Sequence, residues 1–373
     1  MNILVTGGCG FVGSAICRGL VAHLPGCHVT ALDNLRRQGA ETNREPLETL
    51  GVAVVHGDVR MQSDVDALGP FDWLIDAAAE PSVLAGTAAG AAAGSATTPR
   101  QLVEHNLLGT VNLLEAAARH RAGVVILSTS RVYSIPALAG LPLVEEQAGR
   151  GPAFAFDATQ PLPPAVSPAG VSEAFSTAAP VSLYGATKLA SEALALEYGH
   201  RYGTPCVIDR CGVMAGAGQF GRADQGIFSW WIPQWLAGKP LAYIGFGGRG
   251  LQVRDCLHPD DLVALLVMQL ASPPSAPEIF NVSGGAASAT SLAQLSQWCR
   301  EHLGPYPGEQ PIAAAAETRP YDLPWVVLDH AAVSYRYGWQ PRKRPSDIFA
   351  EIASVAAALP RNTVPHAFLT TRK

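Results

Sequence analysis

The chain opens with a short apolar run, "NILVTGG" (2–8), that ends in glycines and predicts a buried strand. "FVGSAICRGLVAHL" (11–24) follows with the apolar spacing of a helix. Further apolar runs at 28–33, 52–58, 71–79, 123–130 and 205–212 predict strands, with helical stretches between them, notably 101–120 and 184–202. These strands are apolar throughout and do not alternate. Strands of that kind, separated by helices, imply a doubly wound parallel sheet in an α/β fold, with helices covering both faces. The first domain is expected to span 1–212. After residue 212 the pattern changes. Residues 225–238 form an aromatic helical segment. Residues 240–270 read as strand, turn, strand and helix, and are expected to return to the first domain. Residues 276–330 give a strand ending at Asn281 and Val282, then a helix at 291–303. A smaller, discontinuous C-terminal domain is therefore expected from 213–239 and 271–340, placed to bind a substrate.

Two stretches break the rhythm. Residues 84–98, "LAGTAAGAAAGSATT", are low in complexity and predict a mobile surface loop. Residues 134–180 are rich in Pro and Ala without clear periodicity. A loop that long inside a compact domain is usually functional or disordered. It joins the strand of Thr129 to the helix of Tyr184, so it is expected to lie over the site.

Composition narrows the partners. The 373 residues are 48% apolar and 15% charged, with a net charge of −5 and scattered Lys and Arg. No basic stripe suggests nucleic acid, and no apolar run reaches the length of a membrane span. The strand starts at residue 2, which leaves no room for a signal peptide. Seven cysteines, with no C-x-x-C pair, indicate neither a disulfide framework nor a zinc site. A reducing cytoplasm is the expected compartment, and no metal is expected.

The chemistry starts at "TGGCGFVG" (6–13), with glycines at 7, 10 and 13 between the first strand and the first helix. Gly7 permits the tight turn, Gly10 lets backbone approach a pyrophosphate, and Gly13 allows close helix–strand packing. The helix N-terminus then offers free N–H groups and a positive dipole end to the phosphates. Asp33 ends the second strand, where a carboxylate accepts hydrogen bonds from both ribose hydroxyls and favours NAD over NADP. Arg36 and Arg37 follow closely and are able to hold a 2′-phosphate, and Asp33 is also what a turn cap looks like. Asp58 and Val59 would reach the adenine, and Ala77, Ala78 and Ala79 would leave room for the dinucleotide. Thr129 falls at the carboxyl end of its strand, where open α/β sheets bind ligands. Tyr184 and Lys188 lie four apart on one face of the next helix. Alone, that pair also fits a half-buried tyrosine beside a solvated lysine.

Taken together, "TGGCGFVG", "STSRVY" (128–133), "YGATK" (184–188) and "VRDCLHPDDL" (253–262) resemble the extended, sugar-nucleotide branch of the short-chain dehydrogenase/reductase superfamily. The resemblance covers nearly the whole chain and implies a Rossmann domain with bound NAD. It also implies a catalytic triad of Thr129, Tyr184 and Lys188, and pairing of two chains through the helices near 101–120 and 184–202. It extends the candidate cofactor contacts to Phe11, Val12, Asn34, Asn106, Ser128 and Cys211. The candidate substrate contacts are Glu80, Ser130, Arg131, Val213, Gln225, Gly226 and Arg254, with Arg254 matching the arginine that pairs with the diphosphate; a surface ion pair with Asp255 is its other reading. His258 is expected to be a structural hydrogen-bonder, and Trp230 and Trp231 core residues. A tyrosine titrates near pH 10, and the Lys188 ammonium and a positive nicotinamide are both expected to favour its phenolate.

Three departures narrow the activity. Dehydratases of the branch carry an Asp-Glu pair just after the catalytic Thr, and decarboxylases a Glu two places after it, whereas this chain has Ser130 and Arg131. Val213 stands where 4-epimerases have an Asn, and the segment from Tyr133 to Tyr184 is longer than theirs. The phrases "STSRVYSIPAL", "RCGVMAGAGQFG", "DQGIFSWW" and "YIGFGGRGLQVRDCLHPDDL" are similar to the CDP-tyvelose (CDP-paratose) 2-epimerases. The resemblance implies epimerisation at C2 of a CDP-hexose. A UDP-sugar 4-epimerase, a nucleotide-sugar dehydrogenase and a silent dinucleotide sensor share parts of the pattern.

Overall fold

The computed structural model describes residues 1–92, 97–148, 150–222 and 225–358. Seven parallel strands form one sheet: β1 (Asn2–Thr6), β2 (His28–Asp33), β3 (Ala53–His56), β4 (Trp73–Asp76), β5 (Gly123–Thr129), β6 (Cys206–Cys211) and β7 (Glu278–Val282), in the order β7-β6-β5-β4-β1-β2-β3. Side chains alternate across the sheet. Ile3 and Val5 therefore point into one apolar layer and Leu4 into the other. The first layer is closed by α1 (Phe11–His23), through Ile16 and Leu20. The second is closed by α2 (Gly109–His120) and α3 (Ser182–Tyr202), through Leu113, Leu114 and Ala195. The helix α4 (Pro259–Ala271) returns to the α1 layer with Leu262 and Leu266. Each such leucine contributes about 1.5–3 kcal/mol on burial. The strand order reverses between β1 and β4, which opens a crevice above their carboxyl ends.

Three expectations need correcting. The strand at 278–282, expected with 271–340 in the C-terminal domain, is instead the edge strand of the central sheet, with Val282 beside Cys211. Its sequence "EIFNV" carries no sign of which sheet it joins. Residues 134–180 are not a structureless loop. They form a short helix, Ile135–Ala139, an antiparallel hairpin of Leu143–Ala148 with Gly151–Phe156, and a small turn of Val166–Ser167 with Gly170–Val171. The hairpin's apolar side chains pack on the segment 323–328, with Phe156 and Trp325 rings 4.5 Å apart. The low-complexity stretch is partly ordered as well. Leu84 and Ala85 are buried, Ala88–Ala92 is helical, and the Gly86 N–H donates to the Thr97 carbonyl. Residues 93–96 of that stretch lie outside the described residues.

Beyond the sheet, a second apolar cluster gathers helices Ile227–Leu236, Leu292–Leu303 and Pro345–Ala358. Trp231 is fully buried there and stacks on Tyr243 at 5.4 Å. His258 caps α4 by accepting the Asp260 N–H, as its structural reading expects. Among the described residues no helix is long and apolar enough to cross a membrane, and no group of His, Cys, Asp and Glu could hold a metal ion.

Candidate active site

The crevice is floored by backbone. Gly7 has φ +60°, and a Cβ on it would lie 3.0 Å from the Ala77 carbonyl oxygen and the Ala78 Cα. A Cβ on Gly13 would lie 2.0 Å from the Gly7 oxygen. These two positions exclude any side chain, so the turn after β1 is pressed against β4 and α1. At Gly10 only the Gly7 oxygen is near, at 3.1 Å. Gly10 is the N-cap of α1 with no side-chain cap, and the first turn holds no acid. The half-buried Phe11 and Val12 follow in that turn, where their N–H groups have no intrahelical acceptor. An open glycine beside an uncapped helix start fits a pyrophosphate.

Asp33 ends β2 and is buried. Its Oδ2 accepts the Cys9 N–H at 3.0 Å and its Oδ1 the Leu35 N–H at 2.8 Å. Each oxygen keeps further lone-pair capacity, so the carboxylate both caps the turn and faces the crevice as an acceptor. Asn34 donates to Asp58 Oδ2 at 3.0 Å. Asp58 is pushed up by burial, but hydrogen bonds from Arg60 and Asn34 overrule that and hold it well below the usual carboxylate range. Val59 is buried, and its carbonyl accepts from Asn112. Ala77, Ala78 and Ala79 follow β4, and the Ala78 N–H donates to Thr6 Oγ1 at 3.2 Å. Arg37 is tied to Gln225 Oε1.

The reacting centre lies where β5 meets α3. The Arg131 N–H donates to Thr129 Oγ1 at 3.2 Å, and Thr129 acts on Tyr184 to favour its phenolate. Lys188 is buried one turn further along α3, and its charge acts on the Cys211 thiol at the end of β6. Burial pushes Tyr184 up to about 12, while Thr129 and Arg131 oppose this and Cys211 and Glu80 add to it. The groups acting most strongly on Tyr184 are those just named, and desolvation outweighs them.

Asn106 is buried in a wide π-turn, Glu104–Leu108, of the helix that runs on into α2. It accepts from the Glu80 N–H at 2.8 Å and donates to Thr187 Oγ1 at 3.3 Å. Its described bonds thus fix the segment after β4 to α3. The Glu80 carboxylate accepts from Thr97 at 3.2 Å. The Ser128 hydroxyl donates to Glu192, which is paired with Arg210 at 2.7 Å. This points Ser128 into the scaffold under the site, not into the crevice.

Sequence reasoning missed that buried network and the partner of Arg254. Arg254 pairs with Asp322 at 2.8 Å, not with Asp255. Asp255 instead accepts the Val213 and Leu328 N–H groups. Val213 pairs in register with Cys256, and Gly226, at φ +70°, begins helix Ile227–Leu236. Ser130 is buried, and Arg131 reaches the Tyr321 carbonyl at 3.3 Å. Glu192 stands four residues after Lys188, a spacing that signals a shared helical face. Nothing local marks Asp322.

Comparison with known proteins identifies the family. Residues 3–283 match the pattern of the NAD dependent epimerase/dehydratase family. The chain is 31% identical over 306 residues to a CDP-paratose 2-epimerase of Salmonella typhi, covering 79% of this chain and 82% of that one. It is 30% identical over 292 residues to a dTDP-glucose 4,6-dehydratase of Streptomyces niveus, covering 76% and 73%. The UDP-glucose 4-epimerase of Thermus thermophilus, solved in complex with NAD, superposes with a TM-score of 0.69 at 26% identity, over 96% of this chain and 99% of that one. A glycine floor that admits a pyrophosphate, an acceptor at the end of β2 and the Thr–Tyr–Lys group beside them therefore belong to a member of the NAD-dependent epimerase/dehydratase family, with NAD as its cofactor.

Proposed function

We propose that the protein epimerises a nucleotide sugar at C2, most simply a CDP-hexose of the paratose and tyvelose type, and so acts as an isomerase. The observation that carries the reading is the pair Ser130 and Arg131 directly after Thr129. Dehydration needs an acid there to expel water, and this chain supplies a hydroxyl and a guanidinium. The similarity to a CDP-paratose 2-epimerase supports the nucleotide and the carbon.

Bound NAD supplies a hydride acceptor that later returns the same hydride. The chain's own residues move the proton. Thr129 orients the reacting hydroxyl and Tyr184 takes its proton as the C–H bond gives up its hydride, leaving a 2-keto sugar. After the sugar turns over, the hydride adds to the opposite face and Tyr184 returns the proton to oxygen. Burial raises the phenol to about 12, and a positive charge beside it would favour the phenolate against that. In this reading Lys188 and Asp33 would hold the two riboses. Pairing of chains is part of the same reading, supported by exposed Val103, Leu108, Leu183 and Tyr202 on the helices near 101–120 and 184–202. The seven free cysteines fit a reducing cytoplasm.

The test is turnover of a CDP-hexose in deuterium oxide with NMR of the product. A gluco substrate should give its manno epimer with the C2 hydrogen largely undeuterated. A galacto product would move the reaction to C4, and deuterium at C2 would replace hydride transfer by carbon deprotonation.

A further inference from the structure

Resting on the reading just given, we propose that Arg131 holds the phosphate attached to the sugar, forming a two-guanidinium clamp with Arg254, and that this clamp presents C2 to Tyr184. Arg131 directly follows Thr129 at the end of β5 and is half-buried. Among the described residues its guanidinium makes one hydrogen bond, from Nη1 to the Tyr321 carbonyl at 3.3 Å, and no ion pair. Arg254 is already served by Asp322 at 2.8 Å and by the Val253 carbonyl at 2.8 Å. Asp322 and Asp255 both act on Arg254, whereas Asp322 is the carboxylate that acts on Arg131. Arg131 feels Arg254 as a repelling charge, Asp322 as an attracting one, and Tyr184 as a third neighbour. Burial and Arg254 together push it down to about 10, still a cation at neutral pH.

An arginine kept charged, short of acceptors and half-buried is suited to an incoming anion. The substrate brings one anionic group, its diphosphate. The position of Arg131 then bears on the chemistry. Its backbone N–H holds Thr129, and its side-chain charge acts on Tyr184. C2 of a nucleotide hexose is bonded to the carbon that carries the phosphate, whereas C4 lies across the ring. A phosphate held beside Tyr184 brings C2 to the phenol and keeps C4 away. A clamp made of Arg254 alone would set the phosphate further off and leave room for the ring between.

The test is calorimetric titration of the NAD-loaded full chain with CDP and with CMP, using wild type, Arg131→Met and Arg131→Lys. CDP contains the sugar-side phosphate and CMP lacks it. A lost charge-assisted contact predicts a fall of at least about ten-fold in CDP affinity for Arg131→Met. CMP affinity should change less than about two-fold, and Arg131→Lys should recover part of the loss. A purely structural role would move both ligands alike. Equal CDP affinity in wild type and Arg131→Met would overturn the clamp and point instead to a group on the sugar ring. If Arg131→Met fails to fold, the CDP-to-CMP ratio of Arg131→Lys decides by the same criterion. If wild type prefers uridine nucleotides, UDP and UMP replace the cytidine pair. The wild-type NMR product separates the two ideas. A C2 product with an unchanged CDP affinity sinks the clamp alone, whereas a C4 product with a lost CDP affinity keeps the phosphate contact but sinks both the C2 assignment and the clamp's presentation of C2.

Discussion

Replacing Glu192 with leucine should remove about 3–5 kcal/mol of stability, because it leaves Arg210 as an unpaired buried cation. Arg210 Nη2 lies 2.7 Å from Glu192 Oε2 and Nε lies 3.1 Å from Oε1, with the side chains 7% and 3% exposed. Burial pulls the guanidinium down, and Glu192 more than reverses this, holding it well above its ordinary value. Two unit charges about 4 Å apart at an effective dielectric near 20 attract by about 4 kcal/mol, which agrees with the mutational range. The remaining partners of Arg210 are the Tyr133 hydroxyl at 3.4 Å, the Tyr133 ring at 5.3 Å and the Glu173 carbonyl at 3.3 Å. They are neutral and do not replace a carboxylate. Urea unfolding of the NAD-loaded protein, followed by far-ultraviolet circular dichroism, reads the loss. The double variant Glu192→Leu, Arg210→Met removes both charges and should recover at least about 2 kcal/mol of it. The kinetic consequence is a lower kcat, since Ser128 loses its acceptor next to Thr129. A single variant within about 1 kcal/mol of wild type, or a double variant weaker than the single, would refute the reasoning.

Other outcomes follow from the same structure. Asp209 is fully buried and pushed up to about 7 by burial, with Gln269 bonding only one oxygen and opposing the rise. A carboxyl raised above its unfolded value stabilises below that value and loses the contribution as pH climbs. Wild type should therefore lose stability relative to Asp209→Asn between about pH 4 and 7, by at most about 4 kcal/mol at pH 8; parallel urea curves across that window would show the carboxyl to be inert. Gly13→Ala puts a methyl group 2.0 Å from the Gly7 oxygen, so NAD retention through gel filtration should fall at least about ten-fold, and retention at the wild-type level would remove Gly13 from the cofactor floor. Tyr184→Phe keeps the packed ring and loses the proton acceptor, so kcat should fall by about 10²–10⁴ with nucleotide affinity nearly intact; near-normal turnover would take Tyr184 out of the mechanism.

What can be read in the sequence is whatever neighbouring residues encode. The glycines at 7, 10 and 13 sit between a strand and a helix, so their job follows from a dozen contiguous residues. Tyr184 and Lys188 share a helical face by spacing alone, and Thr129 follows from the end of an apolar run. The rest depends on distant segments meeting. Arg254 and Asp322 are 68 residues apart, and β7 reaches β6 only after the chain has crossed the second apolar cluster. The hairpin at 143–156 lacks a legible period because its apolar face packs on a few residues near 325, not on the sheet. The charge state of Tyr184 escapes the sequence for a different reason: spacing shows who stands beside a phenol but not how deeply both are buried.

The two halves of the site are made of different material. The cofactor half is built from backbone: a turn that tolerates no Cβ at Gly7 or Gly13, an uncapped helix start, and a row of alanines. Such a floor fixes NAD and hydride transfer without depending on the sugar. The substrate half is built from side chains that come from separate segments: Arg131 after β5, Val213 after β6, Arg254, and Asp322 far along the chain. Each can change without disturbing the sheet. That division accounts for a 2-epimerase and a 4,6-dehydratase lying at 31% and 30% identity to one chain. Under the proposed reading, the reaction would be decided by the charges around Tyr184. The proposed reaction therefore rests on residues 130, 131 and 254, where a guanidinium beside the phenol would select which carbon a phosphate-anchored sugar presents.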